Sequence, residues 1–174
     1  MGLLEADRTQ EAATVLDVVL GREPEHADAL HLRGVCHMRT GALGPAEAAL
    51  RTSIAVSLGL PQQASASPSV GSSGSEVDVL NVDTSTGGLP FRVGNYYNSL
   101  GVLYQHAGLR EPAVAAFRMA LRANPADVNA IGSLSHVYDE LHQPDAAVWV
   151  VEEGVKASAW GKELVSLLGT RHRS

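Results

Sequence analysis

Apolar residues recur at i, i+3, i+4 and i+7 through most of the chain, the spacing that lines one face of an α-helix. The pattern comes in pairs of short segments. From Asn95 to Pro125 the sequence reads NYYNSLGVLYQHAGLREPAVAAFRMALRANP, which predicts two amphipathic helices of about three turns each. A Gly-containing break near Gly108 separates them and marks where the chain reverses, and Gly41 marks a similar break upstream. Pro24 and Pro125 stop a second helix and turn the chain onward.

These landmarks repeat. Leu100-Gly101, Tyr104, Ala113, Phe117 and Ala120-Leu121 return about 34 residues later as Leu134-Ser135, Tyr138, Ala147, Val151 and Gly154-Val155. A further step lands on Leu168-Gly169, and backward steps land on Gly34, His37, Gly41, Ala46 and Leu50, then on Ala12, Leu16, Val19-Leu20 and Pro24. Gly101, Ser135, Ala113, Ala147, Ala120 and Gly154 are small where two helix backbones approach closely, and Tyr104, Tyr138 and Phe117 fill the spaces between them. A two-helix unit cannot bury its own apolar face, so neighbouring units must stack. The predicted organisation is a partial unit over 1–26, units over 27–60, 91–127 and 128–159, and the start of a further unit or a capping helix over 160–174. In the partial unit, Met1 to Ala6 is the end of a first helix and a second helix runs from about Arg8 to Gly21. The unfinished ends leave two readings open: terminal caps, or a window on a longer array. Arg33, His37 and Ser53 depart from the repeat pattern, and a missing proline after Ile54 predicts that the helix there runs on another turn. Ala159 also stands where proline is expected.

Between Pro61 and Pro90 the periodicity stops. PQQASASPSVGSSGSEVDVLNVDTSTGGLP is rich in Ser, Gly and Thr, and Glu76, Asp78 and Asp83 make it acidic. Such composition buries too little apolar surface to offset ordering entropy, so 61–90 is expected to be a disordered insert at a unit boundary. Within it, Val77-Asp78-Val79-Leu80 resembles a SUMO-interacting strand; the plainer alternative is that its apolar residues dock on the outside of a helix. Leu89 to Val93 leads back into the next helix.

The period and its signature residues Gly34, Ala46, Leu100, Gly101, Tyr104, Ala113, Phe117, Ala120, Pro125, Tyr138 and Ala147 are similar to those of the tetratricopeptide repeat family. The resemblance covers all but the central segment and is strongest at Tyr97 to Pro125. It implies an all-α fold, a right-handed α-α superhelix of antiparallel helix pairs whose inner groove binds peptides or partner proteins. In that family the first helix of each unit lines the groove. The residues that would face inward here are His31, Val35 and Met38 in one unit, Asn95, Asn98, Val102 and Gln105 in the next, and Asn129, His136, Asp139 and Glu140 in the third. Two specialised uses of the family fail residue by residue. The carboxylate clamp for chaperone tails is not matched, because His31, Val35, Ser99, Asn129 and Ser133 occupy its places. An asparagine ladder of the O-GlcNAc-transferase type would need Asn where Leu32, Ser99 and Ser133 stand.

Charge and chemistry narrow the function. Net charge is −6 with a pI near 5.6, which argues against a protein that tracks nucleic-acid phosphates. Hydrophobic residues at 45% with charged residues at 18% are ordinary for a soluble chain, and no apolar run reaches the roughly 20 residues of a membrane span. The one cysteine, Cys36, excludes a disulfide framework and reads as a small core residue rather than a nucleophile. His31 and His37, like His136 and His142, are spaced so that they face different sides of a helix. With no His-rich metal motif present, no metal, cofactor or catalytic residue is expected. The Gly-rich pieces VGSSGS and STGG lack the lysine of a phosphate loop. The expectation is an intracellular, cytoplasmic protein-interaction scaffold with no catalysis of its own, binding a protein or peptide and neither nucleic acid nor membrane. Its unfinished ends allow end-to-end self-association. The alternative is a substrate-recognition fragment of a larger glycosyltransferase- or hydroxylase-type enzyme.

Overall fold

A computed structural model describes residues 2–60, 79–82 and 88–158. Its described residues form seven α-helices and one 3₁₀ turn, with no strand among them. The chain divides into two compact units, Met1–Asp83 and Thr84–Ser174.

The first unit holds α1 (Gly2–Arg22), α2 (Ala27–Arg39), α3 (Leu43–Ser57) and the 3₁₀ turn Val79–Asn81. Helices α2 and α3 form the tight pair. Gly34 on α2 sits against Leu50, so close that a Cβ there would lie 2.7 Å from Leu50 Cγ. Ala46, Leu50 and Ile54 on α3 are fully buried. Ser53, also buried, donates its hydroxyl to the Leu50 carbonyl at 2.7 Å, which satisfies a polar group that the core would otherwise leave unpaired. Arg33 points the other way and pairs with Asp17 across α1 and α2.

In the second unit, α4 (Phe91–His106) pairs with α5 (Arg110–Ala123), and α6 (Val128–Glu140) pairs with α7 (Pro144–Ala157). Tyr97, Leu100, Ala113, Phe117 and Ala120 are fully buried, and Tyr104 nearly so. The Phe117 ring fills the space left by Gly101, and its complete burial contributes about 1.5–3 kcal/mol. Leu134, Val137, Ala147 and Val150 make the second pair's core. Gly154 lies against Ile131. Pro125 is exposed in the connecting turn and Tyr138 is half-buried.

The connections repeat as closely as the helices. Turns Glu23–His26 and Asn124–Asp127 each close with an i+3 N–H to i carbonyl bond of 3.1 Å, and each has proline second, where its fixed φ suits the turn. The last residue of each turn then caps the next helix. His26 Nδ1 accepts the Ala29 N–H at 3.2 Å, and Asp127 Oδ1 accepts those of Asn129 and Ala130 at 3.0 and 3.3 Å. Helices α2, α3, α4 and α6 end in a common way. The residue past each cap takes positive φ, at Gly41, Gly59, Gly108 and His142. The next N–H then bonds back to an earlier carbonyl at 2.9 Å: Ala42 to His37, Leu60 to Ala55, Leu109 to Tyr104, and Gln143 to Tyr138.

Several expectations change. Instead of a break after Ala6, α1 runs unbroken from Gly2 to Arg22, because nothing between Leu3 and Leu20 is a helix breaker. Helix α3 does not gain a turn; Gly59 stops it without a proline. His142 is not on a helix with His136, since α6 ends at Glu140 and His142 sits in the turn. Cys36 is half-buried rather than in the core. Val79 and Leu80, by contrast, follow the plainer expectation of docking on a helix: they form a 3₁₀ turn packed on α3, with Val79 buried. The expected disorder of 61–90 and the further helix at 160–174 fall largely outside the described residues.

Candidate functional site

The expected inward residues fall on α2 in the first unit and on α4 and α6 in the second. On α2, His31, Val35 and Met38 are all half-buried. Burial pushes the His31 imidazole below its ordinary value of 6.5, with the neighbouring Asp28 charge opposing the shift. His37 is lowered in the same direction, by burial first and by the Arg33 charge second, against Asp17.

On α4, Asn95 is exposed, while Asn98, Val102 and Gln105 are half-buried. Asn98 and Gln105 are seven residues apart and so lie on one stripe of the helix. The Asn98 side-chain oxygen is buried without a hydrogen-bond partner. On α6, Asn129, His136 and Asp139 are exposed. Three of the expected inward residues come together, and a hydrogen bond joins two of them: the Gln105 amide nitrogen donates to His136 Nδ1 at 3.0 Å, joining α4 to α6. Glu140 Oε1 lies 3.5 Å from the same imidazole nitrogen, and its other oxygen accepts from Arg110 Nε at 3.2 Å. Two polar contacts therefore tie α6 to its neighbours, Gln105–His136 to α4 and Arg110–Glu140 to α5. With Arg110 46% and Glu140 34% exposed, the ion pair adds at most about 1 kcal/mol to stability. Its effect is to hold side chains in place. Arg110 is the residue that sequence reasoning missed: it begins a second helix, so no first-helix face pattern contains it.

The arrangement offers amide and imidazole groups that hydrogen-bond an extended backbone, beside the apolar Val102. Among the described residues, no three His, Cys, Asp or Glu side chains gather as a metal site would require.

The sequence profile described as "Tetratricopeptide repeat" matches residues 3–58, the span of α1 to α3. Over that span the chain is similar to a tetratricopeptide repeat. Seventeen chains of solved structures match it. Among them is the crystal structure of MamA protein, with a TM-score of 0.60 at 16% identity over 86% of this chain. The alignment takes in 63% of the MamA chain, so this sequence spans less than two thirds of that neighbour. No curated protein matches. The tetratricopeptide profile falls on the first unit, whereas the most regular sequence repetition lies in the second, where α4–α5 and α6–α7 form the same kind of helix pair. No helix among the described residues is long and apolar enough to cross a membrane.

Proposed function

We propose that the chain is a protein-interaction module whose first helices hold an extended peptide or a partner protein, with no turnover of its own, inside the cell. Asn95, Asn98, Val102, Gln105, Asn129, His136 and Asp139 form the binding face of the second unit, and His31, Val35 and Met38 form that of the first. The observation that carries this reading is the Gln105–His136 bond between α4 and α6. It fixes two adjacent first helices with their polar side chains presented together. Asn98 supports it as well, because its buried oxygen still lacks a donor and a peptide N–H would provide one. Val102 adds apolar contact between these polar groups.

A photo-crosslinking amino acid at Val102, with Glu152 on α7 as the control position, tests the assignment. A partner should crosslink from Val102 and not from Glu152. Replacing Asn98 and Gln105 with Ala should abolish the crosslink while circular dichroism shows unchanged helix content. If that double replacement leaves the crosslink intact, the face of α4 and α6 is not the binding site.

A further inference from the structure

The second unit has a crevice that none of the residues of the proposed binding face lines. That crevice, of about 290 Å³, opens between α5 and α7. Its floor is apolar, with Ile131, Leu134 and Tyr138 of α6, and its rim is not. Arg118 and Arg122 stand one turn apart on the α5 side. Among the described residues neither guanidinium pairs with a carboxylate; Arg122 donates only to the Met119 sulfur, at 3.8 Å. Across the opening, Glu153 is already held by Lys156 at 2.7 Å. The rim is therefore net positive in a chain whose net charge is −6.

Trp149 lines the same wall and is 59% exposed. Trp149 and Glu153 lie at i, i+4 on one stripe of α7. The exposed Val148, Val151 and Val155 lie at i, i+3 and i+7 on another.

We propose that this crevice is a second docking site, and that its partner is an acidic peptide segment. One aliphatic or aromatic side chain enters between Ile131 and Trp149, and flanking carboxylates lie beside Arg118 and Arg122. The size favours a peptide anchor. Pockets that enclose whole small molecules run from about 300 to 1,000 Å³, and this open crevice sits at the bottom of that range, with room for a single buried anchor of the kind that dominates protein interfaces. Two adjacent guanidinium groups with free donors match carboxylates in geometry as well as in charge. The inference does not rest on the face of α4 and α6.

The test pans a random-peptide phage library on the full chain. A Trp160→Phe background leaves Trp149 as the sole indole, since the sequence has two tryptophans. Enriched peptides should combine Asp or Glu with Leu, Phe or Trp, and the tightest should shift Trp149 emission. Arg118→Ser with Arg122→Ser should weaken binding about tenfold or more, and added salt should weaken it too. Gln105→Ala should leave it unchanged. A library that enriches no acidic peptide overturns the proposal. So do acidic peptides that bind equally well without both arginines, or that are lost with Gln105→Ala. Dodecanoate is the competing probe. If it shifts Trp149 in an arginine-dependent way while acidic peptides do not, the crevice takes acyl anions and the peptide assignment is wrong.

Discussion

A methyl group added at Gly101 would meet the Phe117 ring at 2.6 Å, and the ring is fully buried with no room to retreat. The small residue there is dictated by packing. At Gly132, in α6, the same methyl would meet nothing within 4 Å. The two positions make a controlled pair. Gly101→Ala should destabilise the protein by about 1–3 kcal/mol through overpacking, despite the better helix propensity of alanine. Gly132→Ala should stabilise it by about 0.5–1 kcal/mol, because only propensity and unfolded-chain entropy change. Urea denaturation of both variants checks the contrast, and a loss at both positions would mean that Gly132 is constrained by something other than packing. The repeat frame makes Gly101 readable from sequence, since small residues recur there opposite aromatic ones. Gly132 has no such signal, and its freedom is visible only in the fold.

Helix ends carry a second layer of repetition. Three of the four alike helix termini place glycine at the positive-φ position, and the fourth places His142 there with φ 57°. A side chain in that conformation costs about 1–2 kcal/mol. His142→Gly should therefore raise the midpoint of thermal unfolding, by about 1 kcal/mol in stability. An unchanged midpoint would show that the exposed imidazole compensates through a contact of its own. How far elements were legible in the sequence follows from how local their causes are. The helix pairs, the turns at Pro24 and Pro125 and the reversals at Gly41 and Gly108 depend on neighbouring residues, and all can be read from the chain. The continuity of α1 was hidden because a repeat frame suggests a boundary that local propensity does not enforce. The candidate face was legible only along each first helix. Its joining bond, Gln105 to His136, and the Arg110–Glu140 pair connect residues about one repeat apart. The crevice between α5 and α7 likewise draws on three helices and leaves no mark in any one of them.

At the scale of the whole molecule, α2 contributes to the response to acid, because the imidazoles of His31 and His37 both lie below their ordinary value. The sign of the effect follows from linkage. An unfolded chain takes up protons near pH 6.5 at sites that the folded chain keeps neutral, so acid favours unfolding. The contribution of these histidines is complete above about pH 6.5 and is lost as the pH falls toward their lowered folded values. Unfolding free energies measured from about pH 7.5 down to about pH 5.5 should decline, and His31→Gln with His37→Gln should flatten that part of the curve. A slope unchanged by the double replacement would put the proton uptake elsewhere.

The way α3 ends has a consequence for how such a chain can lengthen. Its closing carbonyls are bonded by the N–H groups of Leu58, Gly59 and Leu60, so the helix is complete by residue 60 and asks nothing of what comes next. Constraint returns at Val79, buried on α3. In general, doubling the length of a flexible connection between two fixed points adds only about 0.6 kcal/mol of closure cost. Genetic material could be gained or lost there, or a reporter domain spliced in, with the α2–α3 pair unaware of the change.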